Sequence, residues 1–214
     1  TSFVNKLNDP KLSIDEIIDD PMEVIKKYTQ FSNPKIPLPT DIFLPERKNS
    51  RGYDLNDETT RTKVQNIFQR PKSQVTASSI IDGKEMCSNF HTIKNPGNIE
   101  ESIGKVSYAE KNDVTDAVQT ASDFFLQWKN ISIEKKVTIF QQFAELLETH
   151  QEKFIYLCVK EAGKTVGDSI NDIREAIDFC LYYSSQASQI FAEPQTLKGP
   201  TGEKNKLYYE GKGI

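Results

Sequence analysis

The sequence is poor in the residues that build metal sites and disulfide frameworks. Its 214 residues include three cysteines and two histidines. Cys87, Cys158 and Cys180 are far apart and form no C-x-x-C pair, and His91 and His150 add no ligand spacing. A zinc site and a disulfide scaffold are therefore excluded, and a reducing cytoplasm fits. Long apolar runs are missing too. None approaches the ~20 residues needed to cross a bilayer, and the opening TSFVNKLNDP has no apolar segment of the secretory kind. Nor is there an excess of one charge. The net charge is −4, from 27 basic and 31 acidic residues, so a dedicated nucleic-acid binder is not expected. Hydrophobic residues make up 36% of the chain and the mean hydropathy is −0.57. That is low for one compact domain, and implies long polar connectors or a segment that buries part of itself against something else. Thr1 is not preceded by an initiator methionine, which leads to the expectation of a chain cut from something longer. There is no internal repeat.

What is present reads first as helix signals. Ser13 and Glu16 have capping-box spacing, and Asp20-Pro21 repeats the start signal with proline at the first helical position. In NPKIPLPTDIFLPE the prolines Pro34, Pro37, Pro39 and Pro45 predict an extended spacer. A helix is expected from about Glu58 to Phe68, stopping at Pro71. Between Gln74 and Ala109 the pattern is strand-like, with a turn at Asn95-Pro96-Gly97-Asn98 and an edge strand at GKVSYAE. The second half is helical. Val114, Ala117, Val118, Ala121, Phe124, Phe125 and Trp128 form one apolar stripe, and Val137, Phe140, Phe143, Ala144 and Leu147 form the next. A short helix carries Phe154, Leu157 and Cys158. The longest runs from near Thr165 to before Pro194, and KLYYEGKGI reads as a final strand. The expected class is α+β, predominantly helical with a few short strands.

Ala162-Gly163-Lys164-Thr165 looks like the tail of a phosphate-binding loop. Such a loop needs a glycine five residues before the Gly-Lys pair, so that its backbone N–H groups curl toward the phosphates. Cys158 stands there, inside an apolar helical stripe, and no strand precedes it. The tetrapeptide is better read as a helix–helix junction: Gly163 ends one helix and Thr165 starts the next.

Longer stretches carry a resemblance. EAGKTVGDSINDIREAIDFCLYY, Glu161 to Tyr183, resembles the helix pair near the start of aldehyde dehydrogenases. GKVSYAEKNDVTDAVQTASDFFLQWKNIS, Gly104 to Ser132, is similar to that family's opening hairpin and first long helix, and YYEGKGI to the strand leading into its cofactor-binding core. TSFVNKLNDPKLSIDEIIDDP and RGYDLNDE resemble the stretch after the proline dehydrogenase barrel, and the connector, of the bacterial bifunctional proline utilization A family. The resemblance implies the N-terminal part of an α/β aldehyde dehydrogenase fold preceded by an inter-domain linker. Residues 1–30 would end the proline dehydrogenase region, 31–72 would be connector and linker helix, and 73–214 would open the aldehyde dehydrogenase domain.

That implies a parent oxidoreductase that uses FAD to oxidise proline to pyrroline-5-carboxylate and NAD to oxidise glutamate semialdehyde to glutamate. A cysteine thiolate attacks the aldehyde in the second reaction. By the same resemblance both active sites fall outside this chain, so no catalytic, metal or cofactor-binding residue, and neither cofactor, is expected within it. Cys158 and Cys180 occupy apolar stripes, where a thiol acts as a small hydrophobe, and Cys87 is read the same way. Glu175 matches by position a helix glutamate lining the aldehyde pocket, where a carboxylate suits a substrate ammonium. Its plainer reading is a solvated face shared with Arg174 and Asp178. Leu207, Tyr208 and Tyr209 would begin the hairpin arm through which family subunits pair, and an unpaired strand there is an association hazard. The expected partners are the rest of the parent polypeptide and further copies of it, in the bacterial cytoplasm, with peripheral membrane association of the parent and no nucleic acid. Two other readings stay open: a non-catalytic helical interaction module, and a stand-alone aldehyde dehydrogenase with an N-terminal extension.

Overall fold

The computed structural model describes residues 4, 7–29, 33, 35–69 and 74–214. The chain divides into two units, Thr1–Ile42 and Phe43–Ile214. Pro34 and Pro71, and the boundaries expected at 30/31 and 72/73, lie outside the described residues.

In the first unit the cap signals act as the sequence predicts. Helix α1 (Ile14–Ile18) opens with a complete capping box: the Glu16 N–H donates to Ser13 Oγ at 3.3 Å, and the Ser13 N–H donates to Glu16 Oε2 at 2.9 Å. Helix α2 (Pro21–Lys26) opens on Asp20, whose carboxylate accepts from the Met22 N–H at 2.9 Å. Neither helix buries a residue. The Pro-rich spacer, expected to be extended, is instead rich in turns among its described residues. The Ile36 and Glu46 N–H groups donate to the carbonyls of Asn33 and Phe43 at 3.0 and 2.9 Å, and a 3₁₀ turn at Pro39–Asp41 is closed by the Asp41 N–H on the Leu38 carbonyl at 2.8 Å. Proline at the first position of the 3₁₀ turn supplies the φ that it requires.

The second unit begins with the Leu44–Pro45 cis peptide. Helix α3 (Glu58–Gln69) buries Val64 and Ile67, and its N-terminus is held by Asp57, which accepts from the Thr60 N–H at 2.7 Å. A four-stranded mixed sheet comes next, built from β1 (Val75–Ile81), β2 (Lys84–Met86), β3 (Phe90–Asn95) and β4 (Asn98–Ser107) in the order β2-β1-β4-β3. Strands β1 and β4 are parallel and the other pairs antiparallel. The stretch expected as an edge strand is thus interior, because β4 has a neighbour on each side. Gly104 makes this possible: a Cβ there would lie 2.1 Å from the Val75 carbonyl oxygen. The predicted Asn-Pro-Gly-Asn turn joins β3 to β4, with Asn95 Oδ1 accepting from the Gly97 N–H at 2.8 Å.

Four helices complete the unit: α4 (Lys111–Asn130), α5 (Ile133–Thr149), α6 (Gln151–Ala162) and α7 (Val166–Ile190). Ala144, Ile155, Ile170, Ile173 and Ile177 from the last three form one core, with Tyr53, Phe68 and Leu147 against it. Helix α4 differs. Its apolar stripe exists as predicted, but no residue of the helix is buried, and Val114 and Val118 are each 55% exposed. The chain ends on a small antiparallel hairpin of β5 (Gln195–Leu197) and β6 (Asn205–Leu207). The expected final strand is therefore shorter, and paired. Only Leu207 of its three named residues is in a strand, because Tyr209 turns edge-on to Phe191 at 6.4 Å and Glu210 pairs with Lys129 at 2.7 Å. Tyr208 and Tyr209 are exposed beyond it.

Candidate functional site

The Ala-Gly-Lys-Thr junction takes the form that its residues predict. Gly163 has φ of 67° and closes α6, and its N–H donates to the Val159 carbonyl at 3.1 Å while the Lys164 N–H donates to that of Cys158 at 3.3 Å. Thr165 caps α7, accepting from the Asp168 N–H at 3.1 Å. The Gly163 and Lys164 N–H groups are thus spent on the carbonyls that end α6, as a glycine C-cap requires. A Cβ on Gly163 would lie 3.0 Å from Pro96 Cγ, at the tip of the β3–β4 turn. Lys164 pairs with Asp172, which raises the lysine pKa. Nearby, Lys160 donates to both oxygens of Glu101 at 3.0 Å, and Asn95 Nδ2 donates to Glu101 at 2.7 Å. These bonds to Asn95 and Lys160 hold the Glu101 carboxyl below its ordinary range.

Glu175 lies in α7 with its side chain exposed, between the buried Ile173 and Ile177 in sequence but on the opposite side of the helix from them. Its neighbours are not the solvated face considered from the sequence. Asp178 is half-buried and accepts twice from Ser50, from its N–H at 2.7 Å and its hydroxyl at 2.9 Å. No Arg174–Asp178 ion pair forms among the described residues. Instead the Arg174 guanidinium lies against Gly52, where a Cβ would come 3.4 Å from Cζ, and its buried Nε has no hydrogen-bond partner. Further along the helix, Arg47 sits 4.0 Å over the Phe43 ring and 5.7 Å from that of Tyr182. Glu46 Oε1 accepts from the Ser185 hydroxyl at 2.8 Å and from Gln186 Nε2 at 3.4 Å. The Arg51 N–H donates to Glu148 of α5 at 2.9 Å. The stretch from Glu46 to Tyr53 is thus fastened along α7 and to α5, an arrangement with no local sequence signal because its hydrogen-bond partners lie 97 to 140 residues apart.

Cys158 and Cys180 are half-buried, and burial raises both thiol pKa values; for Cys158 the negative charge of Asp172 adds to the rise. A raised pKa is the opposite of what a nucleophilic thiolate needs. No group of acidic, histidine or cysteine side chains able to hold a metal occurs among the described residues. No helix among them is long and apolar enough to cross a membrane. A groove of about 760 Å³ runs between the end of α4, the start of α5 and the end of α7. Trp128, Phe140, Tyr183 and Phe191 line it, and the tail at Tyr209–Gly211 borders it. Lys136 lies 5.3 Å from the Trp128 ring. The groove contains neither Glu175 nor a cysteine.

Comparison with known proteins bears on the whole of this architecture. The chain is 31% identical over 198 residues to the bifunctional protein PutA of Salmonella typhimurium, covering 89% of this chain and 15% of that protein. It is 33% identical over 136 residues to the 1-pyrroline-5-carboxylate dehydrogenase 2 of Bacillus subtilis, covering 63% of this chain and 26% of the relative. A crystal structure of a bifunctional proline utilization A protein superposes with a TM-score of 0.69 at 29% identity, over 100% of this chain and 19% of the other. The chain therefore spans about 15% of the length of the bifunctional relatives that it matches. Residues 84–214, from β2 to the end of the hairpin and its tail, match the model of the aldehyde dehydrogenase family. With that match over more than half of its length, the chain belongs to the aldehyde dehydrogenase family.

Proposed function

We propose that this chain joins the two oxidoreductases of a bacterial bifunctional proline-catabolising enzyme. Residues 1–30 close the proline dehydrogenase region, 31–72 form the connector with helix α3, and 73–214 open the aldehyde dehydrogenase domain. The parent oxidises proline with FAD, and oxidises the semialdehyde formed on ring opening with NAD. The reacting groups and the residues that hold both cofactors lie outside these 214 residues, so this segment positions rather than reacts. The parent is a cytoplasmic homo-oligomer, peripheral at the inner membrane. The β5–β6 hairpin, with Leu207 in it and Tyr208 and Tyr209 just beyond, begins its pairing arm.

The observation that carries this reading is the reach of the likeness. The bifunctional relative is matched over 89% of the chain, well upstream of residue 84 where the family model begins. Stand-alone 1-pyrroline-5-carboxylate dehydrogenases also match upstream of residue 84, over 78% of the chain, so it is the longer reach of the bifunctional match that favours this reading.

Within this reading Glu175 is the one residue of the chain that meets substrate. An exposed carboxylate on a helix whose adjacent positions are anchored in the core is a fixed acceptor for the ammonium of glutamate semialdehyde. Glu175→Ala in the full-length enzyme is expected to raise the semialdehyde KM about tenfold, the effect of losing a charge-assisted hydrogen bond. Unchanged steady-state kinetics would remove Glu175 from the pocket.

A further inference from the structure

One face of α7 is occupied along most of its length by a single extended stretch. Arg174, Asp178, Tyr182, Ser185 and Gln186 recur at intervals that keep them on one side of a helix. Against them lie Gly52, Ser50, Arg47 and Glu46. The order is reversed, so the stretch runs antiparallel to the helix. A connector that had only to span a distance would leave its backbone to water. Here Ser50 is 3% exposed and gives both of its donors to one carboxylate. Hydrogen bonds to a charged acceptor, taken out of water, are the strong and direction-fixing kind. The Ser50 hydroxyl and Asp178 cannot be exchanged for apolar groups one at a time without leaving a buried polar group alone.

Glu175 borders this face. It stands three residues before Asp178 and seven before Tyr182, hence on nearly the same side of the helix as the ring that Arg47 approaches. We propose that Glu46–Tyr53 is a strap that fixes α7, with Ser50 and Asp178 as its positioning residues, and that it sets the orientation in which Glu175 meets an ammonium-bearing aldehyde. The inference rests on the substrate role proposed for Glu175.

A mutant cycle in the full-length enzyme separates the two. Ser50→Ala and Asp178→Ala are each expected to raise the semialdehyde KM about three- to tenfold, in the lower part of the coupling range found between residues in one network. The kcat should stay within about twofold, since no group in the strap reacts, and the NAD KM should not move. Ser50→Thr, which keeps both donors, should restore the wild-type KM. Adding either strap substitution to Glu175→Ala should raise KM no further. If Asp178→Ala fails to fold, Ser50→Ala carries the same test, because it leaves the backbone bond in place. A raised KM in Glu175→Ala beside wild-type KM values in the strap variants would overturn the strap. So would effects that multiply when combined. A wild-type KM in Glu175→Ala would instead overturn the substrate role on which the strap depends.

Discussion

Helices α1 and α2 are capped as fully as any in the chain, yet neither buries a side chain, whereas α5, α6 and α7 together enclose a core of five residues. Ser13 and Asp20 do the same chemistry as Ser132 and Thr165, each satisfying an orphan backbone N–H. The difference lies in the length of helix beyond the cap. Five or six residues cannot present a full apolar face, and isolated helices of that length are marginal in water. The long helices present several turns, and Ile155 and Ile177 are 0% and 1% exposed. Caps decide where a helix begins; burial decides whether it persists. Helix α4 stands between the two cases, long and well patterned but with no residue of its stripe fully buried.

The comparison breaks most visibly at the core. Ile177→Ala removes a 1% exposed side chain and should cost about 2–5 kcal/mol, while Ile18→Ala, at a 71% exposed position, should stay within about 0.5 kcal/mol. Urea unfolding monitored by circular dichroism measures both. Equal effects would mean that the two regions share one cooperative core.

A smaller effect sharpens the role of the caps. Ser13→Ala should cost α1 about 1 kcal/mol of local stability. It should appear as faster amide exchange at Glu16, with no change in the midpoint of global unfolding. The smallest effect is electrostatic. Asn95 and Lys160 lower the folded pKa of Glu101, so the carboxylate binds protons less readily folded than unfolded. Its stabilisation is present above the unfolded value of ~4.3 and is lost as pH falls through the folded one. Glu101→Gln should lower stability near neutral pH by a small amount, as expected of a partly exposed pair, and should flatten the fall below about pH 4.3 by that same amount. An acid limb identical to wild type would contradict the linkage.

What could be read from the sequence was short-range. The Ser13–Glu16 capping box, the Asp20-Pro21 start, the Asn-Pro-Gly-Asn turn and the Gly163–Thr165 junction each depend on residues within a few positions of one another. Periodicity located the apolar side of α4 but is silent on whether anything covers it. Alternation in GKVSYAE marked a strand, and only the missing side chain of Gly104 distinguishes an interior place from an edge. The strap was invisible for a related reason. Ser50 and Asp178 are 128 residues apart, and an aspartate on an exposed-looking helix face carries no sign of its partner. Glu175 was selected by family likeness; the structure adds its exposure and its place beside the strap.

The claim that this chain works inside a longer bifunctional polypeptide is tested most directly by its size in the cell of origin. An antibody against residues 133–190 should detect a polypeptide several times larger than the 24.4 kDa of these 214 residues. The same purified species should oxidise proline and reduce NAD with glutamate semialdehyde. A single band at 24.4 kDa, without either activity, would contradict the account.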